Sequence, residues 1–411
     1  MLKDEKQILW KLSAVLLGMS LPLRLFGPVP MAICLFFGIV LGLFATKGNS
    51  LRSTVNMMRT SLAVRLTGLL LFTFLLSAIF SIDQAYSFSK LWQLVGVSFF
   101  ALLLYMVFRE MPVRHAYGTL KVLSVTTLFM VLFALVDALF ADPRFGQALH
   151  GEDWANVNRL NFMSSNFAVL LPFVWAWLVT SYREHVVLAR WFAWPIGLIT
   201  FVTAFICGGR AGWVGIVIAA FTFLLLASKY HHFVIHRRHW FYGILAVVFS
   251  PVIYGLSRGM ETVKTRLDVS NVMESSGRLD VWEFAMKHMF DNPITGIGLN
   301  AFRKLPLTEY ETSSTAFSNA HPHNFVLQLG LETGVLGLTV GLLLSAVMLV
   351  KFWRMGQGNL YGLAGFCSVL AFFVTSLANT SIFQAWWLAF LIFSAIFAVR
   401  IGWMEKSNND T

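Results

Sequence analysis

The feature that most constrains this chain is a recurring run of about twenty apolar residues, separated by short loops that carry basic residues, glycine or proline. In hydrocarbon every backbone N–H and C=O needs an internal partner, so such a run reads as a helix crossing a bilayer. The runs cover about residues 7–26, 30–46, 66–82, 91–108, 212–228, 240–256, 325–350, 361–378 and 384–402, with three more ending near 140, 182 and 207. That makes about twelve spans. The alternation of apolar and polar residues that a membrane β-barrel requires is absent. Of the 411 residues 57% are hydrophobic and 12% charged, against about 25% charged in soluble domains. The expected fold is an all-α polytopic membrane protein, and its first run reads as a retained span rather than a cleavable leader.

The formal net charge of +11 raises the question of a nucleic-acid partner. Its distribution answers otherwise. Loops 47–65, 109–118, 183–190, 229–239 and 351–359 are each net basic and alternate so as to share one side. Loops around 83, 142–158 and 379–384 are neutral or acidic and face the other way. Lysine and arginine in short loops mark the cytoplasmic side, so both termini are expected there and no nucleic acid is called for. Loop 229–239, with His231, His232, His236 and His239, reads as part of that topology signal and an attractor of anionic lipid, not as a metal site. Cys34, Cys207 and Cys367 all lie in apolar runs, which argues against disulfides and zinc.

One long polar segment divides the chain. Residues 1–256 hold the first nine spans, 257–324 form a large outer loop, and 325–411 hold the last three spans and a short tail. The loop carries seven Lys/Arg against eight Asp/Glu and escapes the charge rule through its length. Within it, Leu279, Trp282, Met286 and Met289 recur at helical spacing after Ser275 and Ser276, either of which can cap. The expectation is an amphipathic helix at the outer membrane interface with its apolar face down and Arg278 in its first turn. Pro293 ends that helix, and Gly296 and Gly298 permit a tight turn. Arg210 is the only charge of another outer turn and follows Gly208 and Gly209. It reads either as a snorkelling anchor or as a planar, permanently charged donor for a diphosphate.

The loop closes on His321-Pro322-His323-Asn324 and runs straight into an apolar helix. Proline holds His321 extended, while Asn324 or His323 can cap the helix. The helix N-terminus favours an anionic ligand and disfavours a protonated imidazole, keeping His323 neutral as a base must be. A purely structural or capping histidine is the alternative. Glu332 lies nine residues beyond His323, about 900° along a helix and half a turn out of phase. It is therefore expected to support the packing rather than to pair with His323.

These residues resemble the O-antigen ligase and O-antigen polymerase superfamily of bacterial inner membranes. The matching features are Arg210 at the start of a span, Gly277-Arg278-Leu279, residues 292–298 with Phe302, His321-Pro322-His323-Asn324, and residues 330–337. A weaker match is Arg159-Leu160-Asn161 through Asn166, and Gly209 departs from the Ser or Thr common before the arginine. The resemblance is close over about residues 150–345 and rests on topology alone elsewhere. It implies a GT-C-like, all-helical lipid-sugar transferase acting on the periplasmic face. The donor is a glycan on polyprenyl (undecaprenyl) diphosphate, and the acceptor is a sugar hydroxyl of the lipid A core. No cofactor or metal is implied, and the outer loop has no Asp-x-Asp pair suited to Mg²⁺.

The resemblance further implies His323 as general base, with Arg210 and Arg278 holding the diphosphate through an inverting displacement. His321, Asn324, Arg159 and Arg303 complete the candidate substrate-binding set. His321 positions the acceptor or only shapes the loop, and Arg303 with Lys304 binds glycan or core phosphates or is simply a solvated basic pair. A ligase is preferred to a polymerase that joins lipid-linked repeat units. A transporter of lipid-linked glycan remains a second class, disfavoured because no span looks broken in mid-membrane and only Glu332 brings an acidic residue to the later spans.

Overall fold

The computed structural model describes residues 3–46, 54–56, 59–139, 161–181, 195–204, 210–227, 278–305, 321–378 and 380–409. The ninth expected span, loop 229–239, Ser275, Ser276 and Arg159 lie outside these. Among the described residues the chain is all-helical, with no strand. The long helices are α1 (Lys3–Ser20), α2 (Pro28–Ala45), α3 (Leu62–Ile79), α4 (Gln84–Glu110), α5 (Val113–Leu139) and α6 (Asn161–Ser181). After α7 (Pro195–Ala204) come α8 (Arg210–Ala227), α9 (Arg278–His288), α10 (Phe325–Gly356), α11 (Leu360–Ser376) and α12 (Ala385–Asn409). Among the described residues, seven helices are long and apolar enough to cross a membrane, and α7, α8 and α11 are shorter apolar helices. Helix α1 falls outside both groups because Lys3, Asp4, Glu5, Lys6 and Lys11 charge its first turns. The protein is a polytopic membrane protein.

The core is a close-packed set of apolar helices in which α6, α8 and α11 touch one another, α10 lies on α3 and α11, and α12 on α4 and α11. Small residues permit the approach: a Cβ on Gly212 of α8 would fall 2.0 Å from the Ser164 hydroxyl of α6. Between lipid-facing helices, where water supplies no drive, such contacts and interhelical hydrogen bonds hold the bundle. Aromatic rings fill the middle, with Phe108 against Phe393 and Phe397 and Trp387 stacked on Phe372.

Hydrogen bonds sort the helix ends into two layers. At one end Ile82 N–H donates to the Ile297 carbonyl, Ser87 to Leu299, and the Gln328 amide to Ser381. At the other, the Arg400 guanidinium donates to the Met111 carbonyl and the Asn359 amide to that of Gly402. The first layer carries His321 and His323. The second carries Arg65, Arg109, Arg114, Lys351 and Arg354.

One expectation about the spans fails. Helix α10 is broken at Gly334, whose φ of 63° and ψ of −168° lie in a region essentially reserved for glycine. Residues 325–333 form a half-helix, and the remaining 22 residues to Gly356 still reach about 33 Å, enough to cross hydrocarbon unaided. The break is made by a neighbour. The Val335 N–H donates to the Pro293 carbonyl at 2.8 Å, and a Cβ on Gly334 would fall 2.2 Å from the carbonyl oxygen of Ile294. Loop 292–300 occupies the gap.

Candidate active site

The corner before α10 is built from its cap outward. Asn324 takes an extended backbone, and its side-chain oxygen accepts from the N–H groups of Val326 at 3.0 Å and Leu327 at 3.2 Å. This satisfies two of the donors that a helix start leaves open. Asn324, not His323, is the cap. To reach it the chain turns through His323, which holds φ at 55°. A non-glycine residue there carries about 1–3 kcal/mol of strain, tolerated where the surroundings over-determine the conformation. The turn sets the half-buried imidazoles of His321 and His323 against each other, with ring centroids 4.2 Å apart.

Helix α9 is tied to this corner by the Trp282 indole N–H, which donates to the Pro322 carbonyl at 2.9 Å. Arg278 opens α9 one turn before Trp282, so the start of the helix lies toward the histidines. Of the expected apolar stripe, Trp282 and Met289 are half-buried and Met286 is exposed, so the face that α9 buries in the protein is another. Val281, Phe284 and Ala285 are buried, together with Ile297, Ala301, Phe302, Leu305 and Leu331, while Met286 is 48% exposed. Val281, Phe284 and Ala285 therefore close on a small protein core, while Met286 stays on the exposed side.

Loop 292–300 is a spacer between that core and the bundle. Gly296 at φ 73°, Gly298 at φ 115° and Asn300 at φ 57° let it turn sharply. The N–H groups of Ile297 and Gly298 donate to the carbonyls of Leu331 and Glu332, at 3.0 and 3.1 Å. They satisfy carbonyls that the break at Gly334 releases. The Ser77 hydroxyl donates to the same Glu332 carbonyl at 2.6 Å. The Glu332 side chain is fully buried, and one carboxyl oxygen accepts from the Asn300 N–H at 2.6 Å. The Gln328 amide group reaches both carboxyl oxygens at 3.4 Å and the Ser381 hydroxyl at 2.9 Å, and its oxygen accepts from Ile382 N–H. Glu332 thus binds the loop to the half-helix.

The outer rim is cationic. The Arg303 guanidinium sits 5.1 Å and the Lys304 ammonium 5.7 Å from the Tyr86 ring centroid, and the Tyr86 hydroxyl accepts from the Asn300 amide. Lys304 also pairs with Asp83 at 2.9 Å, and Asp83 caps α4 by accepting from Tyr86 N–H. The hydrogen bond from Lys304, and then that from the Tyr86 N–H, hold the Asp83 carboxyl below its usual range.

Arg210 opens α8. Gly215, one turn further on, lies against Thr375 of α11, and Phe373 of α11 packs on Phe325 at the start of α10, ring centroids 5.8 Å apart. The first turn of α8 therefore belongs to the same layer as the histidine corner. Arg303 is exposed on the rim.

Sequence reasoning missed several members of this layer. Arg24, in the 3₁₀ turn Pro22–Phe26, is 8% exposed and sits with its guanidinium 4.3 Å from the Trp386 ring centroid. A lone arginine inside the first apolar run was its signal. Ser77, Tyr86 and Gln328 had no comparable signal, because the bonds that tie them into this layer, to Glu332, Asn300 and Ser381, reach 53 or more residues along the chain.

Comparison with known proteins bears on the same residues. Residues 195–342 match the family model described as O-antigen ligase. That range holds Arg210, Arg278, loop 292–300, the histidine corner and Glu332. A protein of Rickettsia prowazekii named "Putative polysaccharide ligase" is 26% identical over 161 residues, 35% of this chain and 40% of that protein. Similarly named proteins of Rickettsia conorii and Rickettsia typhi are each 26% identical, over 117 and 116 residues, 27% of this chain and 28% of theirs. The chain thus matches less than half the length of these relatives.

Proposed function

From the match of residues 195–342 to the O-antigen ligase family model and the partial likeness to polysaccharide ligases, we propose that the chain is a ligase of lipid-linked glycan. It transfers a glycan from undecaprenyl diphosphate to a sugar hydroxyl of the lipid A core. The reaction takes place on the periplasmic face of the bacterial inner membrane, with both termini in the cytoplasm. The observation that carries the reading is the corner before α10. Two imidazoles in mutual contact stand at a capped helix start, joined through Trp282 and Pro322 to the helix that Arg278 opens.

A neutral imidazole of His323 takes the proton from the acceptor hydroxyl as its oxygen attacks the anomeric carbon. The bond from that carbon to the diphosphate oxygen breaks, and polyprenyl diphosphate leaves. One displacement inverts the anomeric carbon. Arg210 and Arg278 hold the diphosphate and offset the charge that grows on it, a duty suited to bidentate, permanently charged donors. The N-terminal dipole of the half-helix adds to that field. His321 and Asn324 shape the acceptor side, and Arg159 and Arg303 bind glycan or phosphate at the rim.

The test is complementation of a strain lacking the protein, with the wild type or with His323→Ala. Surface lipopolysaccharide is resolved on a gel and lipid-linked glycan is extracted in parallel. Loss of core-attached glycan, with long polymer accumulating on the polyprenyl carrier, is the expected result for His323→Ala. Core bearing a single repeat unit would make the protein a polymerase, and relocation of unchanged lipid-linked glycan a transporter. A normal ladder from well-expressed His323→Ala protein would end the assignment of the base.

A further inference from the structure

At the layer of helix ends opposite the histidine corner, an apolar groove of about 710 Å³ runs between the start of α3, the last turns of α10 and the end of α12. Its wall is made of Leu62, Val347, Val350, Met355 and Val399, with Lys351 and Arg354 at the mouth. The volume is that of a site for a small molecule, in the range of about 300–1,000 Å³. Leu62 is 50% and Val350 48% exposed, so the groove opens sideways, toward lipid, and not only toward water.

The charges at the mouth are of one sign. Lys351 and Arg354 are exposed and lie three residues apart, hence on one helix face. Arg65 is exposed and stands three residues after Leu62 on α3. Among the described residues no carboxylate pairs with any of the three. The floor has no vacant polar group to offer a ligand, since the Asn359 side chain is spent on the Gly402 carbonyl and the Gly362 N–H. A ligand that fits must therefore place an apolar chain in the groove and an anionic head among the cations. Basic pockets between spans at the cytoplasmic leaflet take anionic lipid headgroups for this reason.

We propose that this groove is a binding site for an anionic phospholipid of the leaflet opposite the histidine corner, with an acyl chain along Val347 and Val350 and the phosphate between Lys351 and Arg354. The site is independent of the transfer reaction and of its substrates. No residue of the groove belongs to the candidate active site.

The test is lipid titration of the purified full-length protein, read by native mass spectrometry, with dioleoyl phosphatidylglycerol and dioleoyl phosphatidylcholine as probes. The wild type is expected to bind phosphatidylglycerol in preference to phosphatidylcholine. Lys351→Gln with Arg354→Gln is expected to weaken phosphatidylglycerol about thirty-fold, the worth of about 1 kcal/mol for each cation at a membrane surface, and to leave phosphatidylcholine unchanged. Val347→Trp, which fills the groove and keeps both cations, is expected to abolish the tightly held lipid. Equal binding of the two lipids by the wild type would overturn the proposal. So would undiminished phosphatidylglycerol binding by either variant.

Discussion

Glu332 offers the sharpest test of how this site is held together. Its carboxyl is fully buried and accepts from the Asn300 N–H at 2.6 Å. The donor belongs to a residue that is itself buried, at 5% exposure. Glu332→Ala leaves a buried N–H group without an acceptor, at about 1–3 kcal/mol before the lost packing is counted. Gln328 softens the loss little, because its amide group keeps Ser381 at 2.9 Å. Glu332→Gln retains one carboxamide oxygen for Asn300 and must house an NH₂ group, so its cost is expected near 1 kcal/mol. The assay is hydrogen exchange of peptides covering residues 296–302, in detergent, beside a denaturation midpoint. Protection of the Asn300 amide should fall by about one to two orders of magnitude in the alanine variant, about 1.4 kcal/mol for each tenfold step, and recover largely with glutamine. Transfer activity should follow the same order, since the loop and the histidine corner share the half-helix. An alanine variant whose protection and midpoint lie within about 0.5 kcal/mol of the wild type would refute the claim that Glu332 fastens the loop.

Other substitutions separate chemistry from conformation. His323→Asn suits the positive φ and removes the base, so the fold should survive while transfer falls about 10²–10⁴-fold, measured as core-attached glycan at equal expression. Gly334→Ala sets a Cβ 2.2 Å from the Ile294 carbonyl and forbids the backbone conformation, so a loss of folded protein, read by detergent extraction and size-exclusion chromatography, is expected. Asp83, whose carboxyl is held low chiefly by Lys304, contributes stability that is present above the ordinary carboxylate value of about 4 and lost as pH falls through its lower folded value. Acid should therefore loosen the first turn of α4, followed by exchange at Tyr86, and Asp83→Asn should flatten that dependence.

The span pattern was legible in the chain because a helix in lipid is a local object. Its backbone bonds are internal and its side chains need only be apolar. The expected run 30–46 is α2 at Pro28–Ala45, and the run near 361–378 is α11 at Leu360–Ser376. The Asn324 cap was equally local, an acceptor facing N–H groups two and three residues on. Pro293, Gly296 and Gly298 marked a turn for the same reason.

What the sequence could not express is which surface each element meets. Helix α9 carries two apolar stripes, and the one used, Val281 with Phe284 and Ala285, is decided by Phe302 and Leu331 arriving from elsewhere in the chain. Gly334 sits in an apolar run that reads as continuous. Only the Pro293 and Ile294 carbonyls, some forty residues upstream, break it. Arg24 meets Trp386 across nearly the whole length of the chain. Apolar runs and caps are set by neighbours within one turn, which the chain states outright. Breaks, buried faces and a buried carboxylate's partners depend on long-range contacts that exist only once the helices have packed.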